Sequence, residues 1–249
     1  QVVHLAAVLE DSGDRARDFD IDVNGTRNVL DACVAAGVEQ LVVTSSGAAY
    51  GYHPDNPDWL DEDDALRGNP EFPYADHKRQ VEALLADYRQ QHPHLKQLVL
   101  RPGTVLGADT RNLITRLFEK SHLLAVAGSP SPFVFIWDQD VVAIIEKGVL
   151  EEKAGCYNLA GDGALSIHEV GRLLDKPVIS VPAGLLRSGL RLGKRLGLTD
   201  YSPEQVDFLR YRPVLSNRRL KEDFGYIPRK TSEQVFRFYI AGLRQRNTA

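Results

Sequence analysis

The sequence predicts an α/β fold built on a parallel sheet. Three short apolar segments have the composition of buried strands, helical patterns separate them, and each strand ends in small or polar residues. The predicted strands are residues 1–7, 41–43 and 98–100. Because parallel strands end at the same edge of a sheet, we expect Ala6, Ser46 and Thr104 to converge on one crevice.

The helices between these strands follow from the spacing of apolar residues. The first helix is predicted for residues 18–36, where an apolar stripe ends at Gly37. The second is predicted for residues 74–92, and Pro73 is well suited to its first turn.

The second half of the chain continues with shorter elements. Helices are predicted for residues 110–117 and 140–149, and a helix followed by a short strand for residues 165–182. Residues 184–196 form a basic amphipathic segment that we interpret as a solvated helix face.

The segment Tyr74-Ala-Asp-His-Lys78 is the strongest candidate for chemistry. On a helix, residues four positions apart lie about 6 Å apart along the axis and on the same face. The Lys78 ammonium is therefore expected to lower the pKa of the Tyr74 phenol, which makes the phenol useful as an acid–base group. The Ser46 hydroxyl would supply a second hydrogen bond to a reacting oxygen.

The same spacing recurs at Tyr226 and Lys230, so spacing alone is a weak signal. Pro228 lies inside this second copy and would remove a helical hydrogen bond. The second copy is therefore predicted to be structural, whereas the first opens a helix.

Several motifs, in order along the chain, resemble those of one family. They are Val3-His-Leu-Ala-Ala7, Asp22-Val-Asn-Gly-Thr26, Ser45-Ser-Gly-Ala-Ala-Tyr-Gly51, Tyr74 with Lys78, Leu100-Arg-Pro102, Phe135-Ile-Trp137 and Tyr157-Asn-Leu-Ala-Gly161. Together they resemble the extended short-chain dehydrogenase/reductases of the NAD-dependent epimerase/dehydratase type. The resemblance implies a Rossmann-like, doubly wound sheet with a small C-terminal substrate-binding region.

The resemblance also implies roles for individual residues. Ser46, Tyr74 and Lys78 would be catalytic. The cofactor, NAD or NADP, would contact Leu5, Ala6, Ala7, Thr44, Ser45, Tyr74, Lys78, Pro102, Gly103 and Thr104. The substrate would contact Ser46, Gly47, Thr104, Arg210 and Arg212, because guanidinium groups suit bidentate phosphate contacts.

Two domains follow from this assignment. Residues 1–105 would form the remainder of the dinucleotide-binding domain with the catalytic helix, and residues 106–249 would complete the sheet and form the substrate-binding region. Members of the family begin with a strand, a glycine-rich turn and a helix, about 60 residues before a motif like that at Val3. We expect this first β-α-β unit to be missing from the sequence. The absence of methionine, where ordinary usage gives about five, also indicates missing residues.

Departures from the family's pattern bear on the reaction. Asp22 stands where many relatives have asparagine, which puts a proton relay through that position in doubt. Gly47-Ala48 replaces the acidic pair of dehydratases, so elimination of water is disfavoured. Sugar epimerases often have asparagine where this chain has Thr104 and arginine where it has Phe133, so classical UDP-sugar epimerisation is open but not favoured.

Composition gives no case for other ligands. A net charge of −4 and a pI near 6.0 do not favour binding to nucleic acid or to an anionic membrane. No apolar run approaches the roughly 18 residues of a spanning helix. Cys33 and Cys156 indicate neither a disulfide framework nor a metal site, and a cytoplasmic location is expected. His77 is predicted to be exposed, and the acidic run 61–64 to be a solvated loop.

The sequence is compatible with two functions, and the resemblance implies one kind of assembly. The first function is a nicotinamide-dependent oxidoreductase or epimerase acting on a secondary alcohol or ketone, including a nucleotide sugar. The alternative is a non-catalytic cofactor-binding regulatory or scaffolding protein. Relatives commonly form homodimers through the helices at 18–36 and 74–92, to which Val34, Leu85 and Tyr88 could add apolar area.

Overall fold

The structure is a computed structural model that describes residues 1–8, 12–197, 203 and 206–248, with side chains as far as residue 246. Its strands are β1 (Val2–His4), β2 (Gln40–Thr44), β3 (Lys96–Pro102), β4 (Thr104–Leu106), β5 (Leu123–Val126), β6 (Phe135–Trp137), β7 (Gly155–Leu159) and β8 (Val178–Val181). Its helices are α1 (Arg15–Phe19), α2 (Gly25–Ala35), α3 (Pro73–Gln91), α4 (Leu113–Glu119), α5 (Asp138–Leu150), α6 (Ile167–Leu174), α7 (Ala183–Arg195), α8 (Val206–Arg210), α9 (Arg218–Glu222) and α10 (Ser232–Thr248).

The central sheet is parallel and has the order β1-β2-β3-β7. Apolar side chains alternate along β2, so that Leu41 and Val43 pack in one cluster and Val42 packs in another. The first cluster lies under α2 and α3, and the second under α5 and α9. Two helical layers on one parallel sheet confirm the predicted doubly wound, Rossmann-like fold.

Strand β1 is shorter and more exposed than predicted. A buried strand over residues 1–7 is wrong: only Val2–His4 form a strand, and Val3 and Leu5 are 41% and 54% exposed. In the described part of the chain β1 pairs with β2 alone, so its other edge carries no strand. The burial that the apolar composition of residues 1–7 predicts is therefore absent at this edge of β1 in the described part of the chain.

The first predicted helix is divided. Helix α1 leads into a π-helical segment, Asp20–Asn24, and then into α2, where the prediction was one helix over residues 18–36. The buried residues Leu30 and Cys33 confirm the predicted stripe. Gly37 ends the helix at φ +64°, a conformation that glycine adopts at little cost.

The C-terminal half has its own core. Strand β4 pairs with β6 and β5 with β8, and the four rings of Phe118, Phe133, Phe135 and Phe236 pack among them and α10. The predicted helix at 110–117 begins later, at Leu113, because Asn112 and Thr115 form a capping box. No helix in the described residues is long and apolar enough to cross a membrane.

Candidate active site

One face of helix α3 carries three functional side chains at intervals of four residues. Tyr74, Lys78 and Glu82 follow one another along this face and meet the carboxyl end of β2, residues 44–46. Lys78 Nζ donates to the carbonyl oxygen of Thr44 at 3.0 Å, and Ser45 Oγ donates to Glu82 Oε1 at 2.6 Å. The helix is thus held in register against the strand end.

Tyr74 completes this face beside Ser46. A hydrogen bond with Ser46 acts on the pKa of Tyr74, and Lys78 Nζ lies 5.8 Å from the centre of the Tyr74 ring. Ser46 itself is in extended backbone, and its Oγ accepts a hydrogen bond from the N–H of Ala48 at 3.1 Å. The structure therefore brings the three predicted catalytic residues together, with Tyr74 next to the other two.

The expected lowering of the phenol pKa is wrong for this structure. Burial raises the pKa of Tyr74 above its ordinary value, the hydrogen bond with Ser46 opposes that rise, and the Asp22 carboxylate adds to it. Burial also lowers the pKa of Lys78, against the stabilising charges of Asp22 and Glu82. Both groups are shifted towards their neutral forms because the helix and the strand end exclude water from them.

Asp22 links three parts of the site. Its Oδ2 lies 2.9 Å from His77 Nδ1 on α3, and its Oδ1 accepts a hydrogen bond from the N–H of Val8 at 2.8 Å. His77 is only 6% exposed, so the prediction that it lies on the surface is wrong. The sequence does contain a signal for this burial, namely Asp22 in the place of the family's asparagine. A carboxylate at this position can pair with an imidazole.

Beneath the active face, an ion pair joins α3 to β3. Arg101 donates to both oxygens of Glu82, Nε at 2.8 Å and Nη2 at 2.6 Å, and both side chains are buried. Arg101 Nη1 also donates to the Tyr50 hydroxyl at 2.9 Å. Glu82 could have been found from the sequence, because it continues the spacing of Tyr74 and Lys78 by one more turn.

The same network reaches the acidic run at residues 61–64. Arg101 also donates to the carbonyl oxygen of Glu62, and Glu62 Oε1 accepts from the N–H of Asn158 at 2.7 Å. Glu62 is 7% exposed, and its burial raises its pKa. The predicted solvated loop is wrong at this position, because Glu62 is a buried acceptor for the end of β7.

Aromatic side chains lie near Tyr74. The ring of Tyr52 lies 5.4 Å from Phe72 and 4.9 Å from Phe208, between centroids, and Phe72 immediately precedes α3. The pKa of Tyr52 is raised by burial and then by the neighbouring Tyr74. We name Tyr52, Phe72 and Phe208 the aromatic cluster. Sequence reasoning missed it, because its members are far apart in the chain.

Arg212 lies against this aromatic cluster, and Arg210 does not. The Arg212 guanidinium carbon lies 3.9 Å from the centre of the Phe133 ring and 5.6 Å from that of Phe208. Burial lowers the pKa of Arg212 to about 10, so it stays charged at neutral pH. Its Nε is buried with no hydrogen-bond partner among the described residues. Arg210 instead lies 3.8 Å from Asp207 and over the Tyr211 ring.

The remaining predicted contact residues lie at strand ends. Leu5, Ala6 and Ala7 follow β1, and Leu5 and Ala6 are exposed. Pro102 ends β3, Gly103 follows it, and Thr104 begins β4. A Cβ on Gly103 would lie 2.9 Å from the Val134 side chain, and one on Gly47 would lie 2.9 Å from Leu215. Close packing against these neighbours therefore favours glycine at both positions.

A family model matches residues 1–140, which include all of the active face of α3 and the strand ends before it. Its description is the NAD dependent epimerase/dehydratase family. The chain belongs to this family.

Relatives in sequence are distant and longer. An uncharacterized protein of Mycobacterium tuberculosis is 24% identical over 244 residues, and the match covers 97% of this chain and 65% of that protein. An Escherichia coli O157:H7 N-acetyl-alpha-D-glucosaminyl-diphospho-ditrans,octacis-undecaprenol 4-epimerase is 33% identical over 204 residues, covering 74% of this chain and 59% of the relative. The chain thus spans less than two thirds of the length of each of these two relatives.

Solved structures agree on the fold. A dTDP-glucose 4,6-dehydratase of Bacillus anthracis in complex with NAD matches with a TM-score of 0.72 at 18% identity, over 100% of this chain and 74% of its own. The Bordetella bronchiseptica enzyme WbmG in complex with NAD and UDP matches with a TM-score of 0.72 at 19% identity, over 99% and 73%. At these identities the likeness concerns the fold.

Proposed function

We propose that this chain is the catalytic part of an NAD(P)-dependent oxidoreductase or epimerase that acts on a secondary alcohol or the corresponding ketone. The observation that carries the proposal is the active face of α3, where Tyr74 lies beside Ser46 and within one helical turn of Lys78. Family membership supports the cofactor class. The nicotinamide, when bound, supplies the hydride acceptor or donor.

The residues present fit the nicotinamide ribose of a dinucleotide. Lys78 donates one hydrogen bond in the described part of the chain, to Thr44, and its ammonium has three N–H bonds to offer. It would hold ribose hydroxyls together with the Tyr74 hydroxyl. Leu5, Ala6, Ala7, Thr44, Ser45, Pro102, Gly103 and Thr104 are the strand-end residues proposed to border the cofactor.

Tyr74 is assigned the proton transfer. With its pKa raised by burial, it holds its proton at neutral pH and can donate it to a carbonyl oxygen, while Ser46 donates a second hydrogen bond to the same oxygen. In the opposite direction Tyr74 receives the alcohol proton. Lys78 positions the ribose and favours the phenolate once the proton has left.

The substrate side is proposed to be the aromatic cluster with Arg212. Flat rings at 4.9 to 5.8 Å from one another and a buried guanidinium with an unpartnered Nε suit a ring attached to a phosphate. Nucleotide sugars have this chemistry, and so do the sugar diphosphates on which the Escherichia coli relative acts. Ser46, Gly47 and Thr104 are proposed to border the reacting end, and Arg210 to contribute only if its contact with Asp207 opens.

Simple dehydration is the least favoured reaction of the family. The residues after Ser46 are Gly47 and Ala48, both buried, and neither has an acidic or basic side chain. Phe133, in the place where epimerases often have arginine, instead packs under Arg212. Oxidation, reduction or epimerisation at one carbon needs only the residues of the active face.

A substrate screen of the full-length protein tests this proposal. Secondary alcohols and sugar diphosphates would be offered with NAD and with NADP, and reduced nicotinamide and epimeric products would be measured. We expect turnover with at least one substrate, and Ser46→Ala should reduce it by about 10²-fold. Saturable cofactor binding without turnover of any substrate would support the scaffolding alternative instead.

A further inference from the structure

Helix α7 carries apolar side chains that the described part of the chain leaves exposed. None of its thirteen residues, all of which the structure describes, is buried. Leu185, Leu192 and the following Leu196 are 66%, 58% and 60% exposed. In helix α6, by contrast, Ile167 and Val170 are buried in the C-terminal core. Helix α7 is therefore amphipathic without using its outer face for folding.

The leucines and two arginines occupy adjoining strips of this helix. At about 100° per residue, spacings of seven and four place Leu185, Leu192 and Leu196 on one side. Arg191 and Arg195 are exposed and lie beside that strip, whereas Lys194, also exposed, lies on the opposite side of the helix. Residues 183–197 contain no acidic side chain, so the positive charge is not neutralised within the segment.

We propose that this face of α7 docks on the surface of a bilayer rich in anionic lipids. The three leucines would enter the boundary between headgroups and acyl chains, and Arg191 and Arg195 beside them would contact lipid phosphates. A second copy of the chain fits less well, because symmetric pairing would bring two basic strips together. The net charge of −4 predicted no membrane partner, but the fold gathers the basic residues on one exposed helix.

Contacts connect this surface to the candidate substrate side. Arg187 on α7 pairs with Asp207 on α8 at 2.6 Å, and the next residue, Phe208, belongs to the aromatic cluster. Docking would therefore hold the aromatic cluster near the membrane surface. If the proposed function holds, a sugar diphosphate carried by a membrane lipid could be bound there.

Vesicle flotation of the full-length protein tests the docking. Vesicles of phosphatidylglycerol and phosphatidylcholine in equal amounts should bind the protein, and phosphatidylcholine alone should bind it about 100-fold less strongly. Changing Arg191 and Arg195 together to Gln should weaken binding to the anionic vesicles by at least about 10-fold. Changing Leu185, Leu192 and Leu196 together to Gln should weaken it by at least about 10-fold. Gln preserves helix propensity in both variants.

The matched control is Leu150→Gln, since Leu150 is 75% exposed at the end of α5 and lies outside the site and α7. It should bind vesicles like the unchanged protein. Equal binding to both vesicle types, or no binding to either, would overturn the proposal. So would a change of oligomeric state caused by the leucine variant in light scattering, which would identify the face as a self-interface. Turnover of a water-soluble substrate tests the proposed function separately, because it does not require vesicles.

Discussion

Tyr74 and Lys78 have the same sequence spacing as Tyr226 and Lys230, yet the two pairs have different surroundings. The first pair lies on one face of α3, with Lys78 Nζ 5.8 Å from the centre of the Tyr74 ring. The second lies between α9 and α10, outside both helices. A four-residue spacing brings two side chains together only when the residues between them are helical.

The second pair is used for packing. The Tyr226 hydroxyl donates to Asp140 Oδ1 at 2.8 Å, and Lys230 Nζ lies over the rings of Trp137 and Phe238, at 4.3 and 5.4 Å from their centres. Asp140 also accepts from the N–H of Arg229 at 3.1 Å. Asp140 thus lies in the first turn of α5 and holds residues 226–229 against this helix.

The difference shows what the first pair has in addition to spacing. Tyr74 faces a hydroxyl that can share a proton with a bound oxygen, whereas Tyr226 faces a buried carboxylate that takes its hydrogen bond. Lys78 is anchored by a backbone carbonyl, and Lys230 is held over two aromatic rings. Substitutions at and around the two pairs can therefore separate chemistry from packing.

The largest expected effect concerns the ion pair that fixes α3. Arg101→Leu would leave the Glu82 carboxylate buried without its partner, and we expect a loss of about 3–5 kcal/mol in the free energy of unfolding. Urea denaturation measures this. Arg229→Leu is the control from the second region, since Arg229 is largely exposed and lies 3.7 Å from Asp140. If the two variants lost equal free energies of unfolding, the Arg101–Glu82 ion pair would not be what holds α3.

Lys78→Ala should reduce turnover by about 100-fold or more, because it removes both a ribose contact and the charge that favours phenolate. It should also weaken cofactor binding, measured by fluorescence titration. Lys230→Ala removes cation–π contacts alone and should leave both quantities within about 2-fold. Similar losses in the two variants would remove the distinction between the pairs.

Tyr226→Phe should cost about 1.5 kcal/mol of stability and leave turnover unaltered, since it removes one hydrogen bond to a buried carboxylate. Burial raises the pKa of Tyr226 to about 12 from an ordinary value near 10. A raised pKa in the folded state gives stability that is present below pH 10 and is lost as the pH rises through about 12. Unfolding curves at pH 8 and at pH 11 should therefore show the cost of the substitution shrinking at the higher pH.

The smallest effect is expected at Asp22. Asp22→Asn keeps an acceptor for Val8 but removes the charge that faces His77 and supports the charged form of Lys78. The pKa of Lys78 should fall further, so the loss of cofactor binding on raising the pH should begin at a lower pH than in the unchanged protein. A pH series of cofactor titrations measures this. An unaltered series would show that Asp22 has only a structural role.

Much of this arrangement could be predicted from local sequence. The parallel strands, the α3 helix and the meeting of Ser46, Tyr74 and Lys78 depend on short patterns, each set by periodicity within one element. The residues at which helices begin and end are predicted less well than the helices themselves, as the π-helical segment at Asp20 and the cap at Asn112 show. These depend on hydrogen bonds that a hydropathy pattern does not contain.

Contacts between distant segments could not be predicted in the same way. The pattern of α3 alone predicts that His77 is exposed, whereas Asp22 comes from another element to pair with it. Leu85, expected to add area to a dimer face, is fully buried against the sheet. The predicted lowering of the Tyr74 pKa is wrong for a related reason, since the burial that raises this pKa comes from the whole surrounding fold. A homodimer through α2 and α3 stays a prediction.

The proposed function requires that Tyr74, and not Tyr226, moves the proton. The most direct test compares the turnover of Tyr74→Phe and Tyr226→Phe in the full-length protein on one substrate found in the screen. Each variant loses one hydroxyl and keeps its ring, so both should fold and bind cofactor. We expect a fall of about 10²–10⁴-fold for Tyr74→Phe and a change within about 2-fold for Tyr226→Phe. Unchanged turnover in Tyr74→Phe would contradict the proposed function.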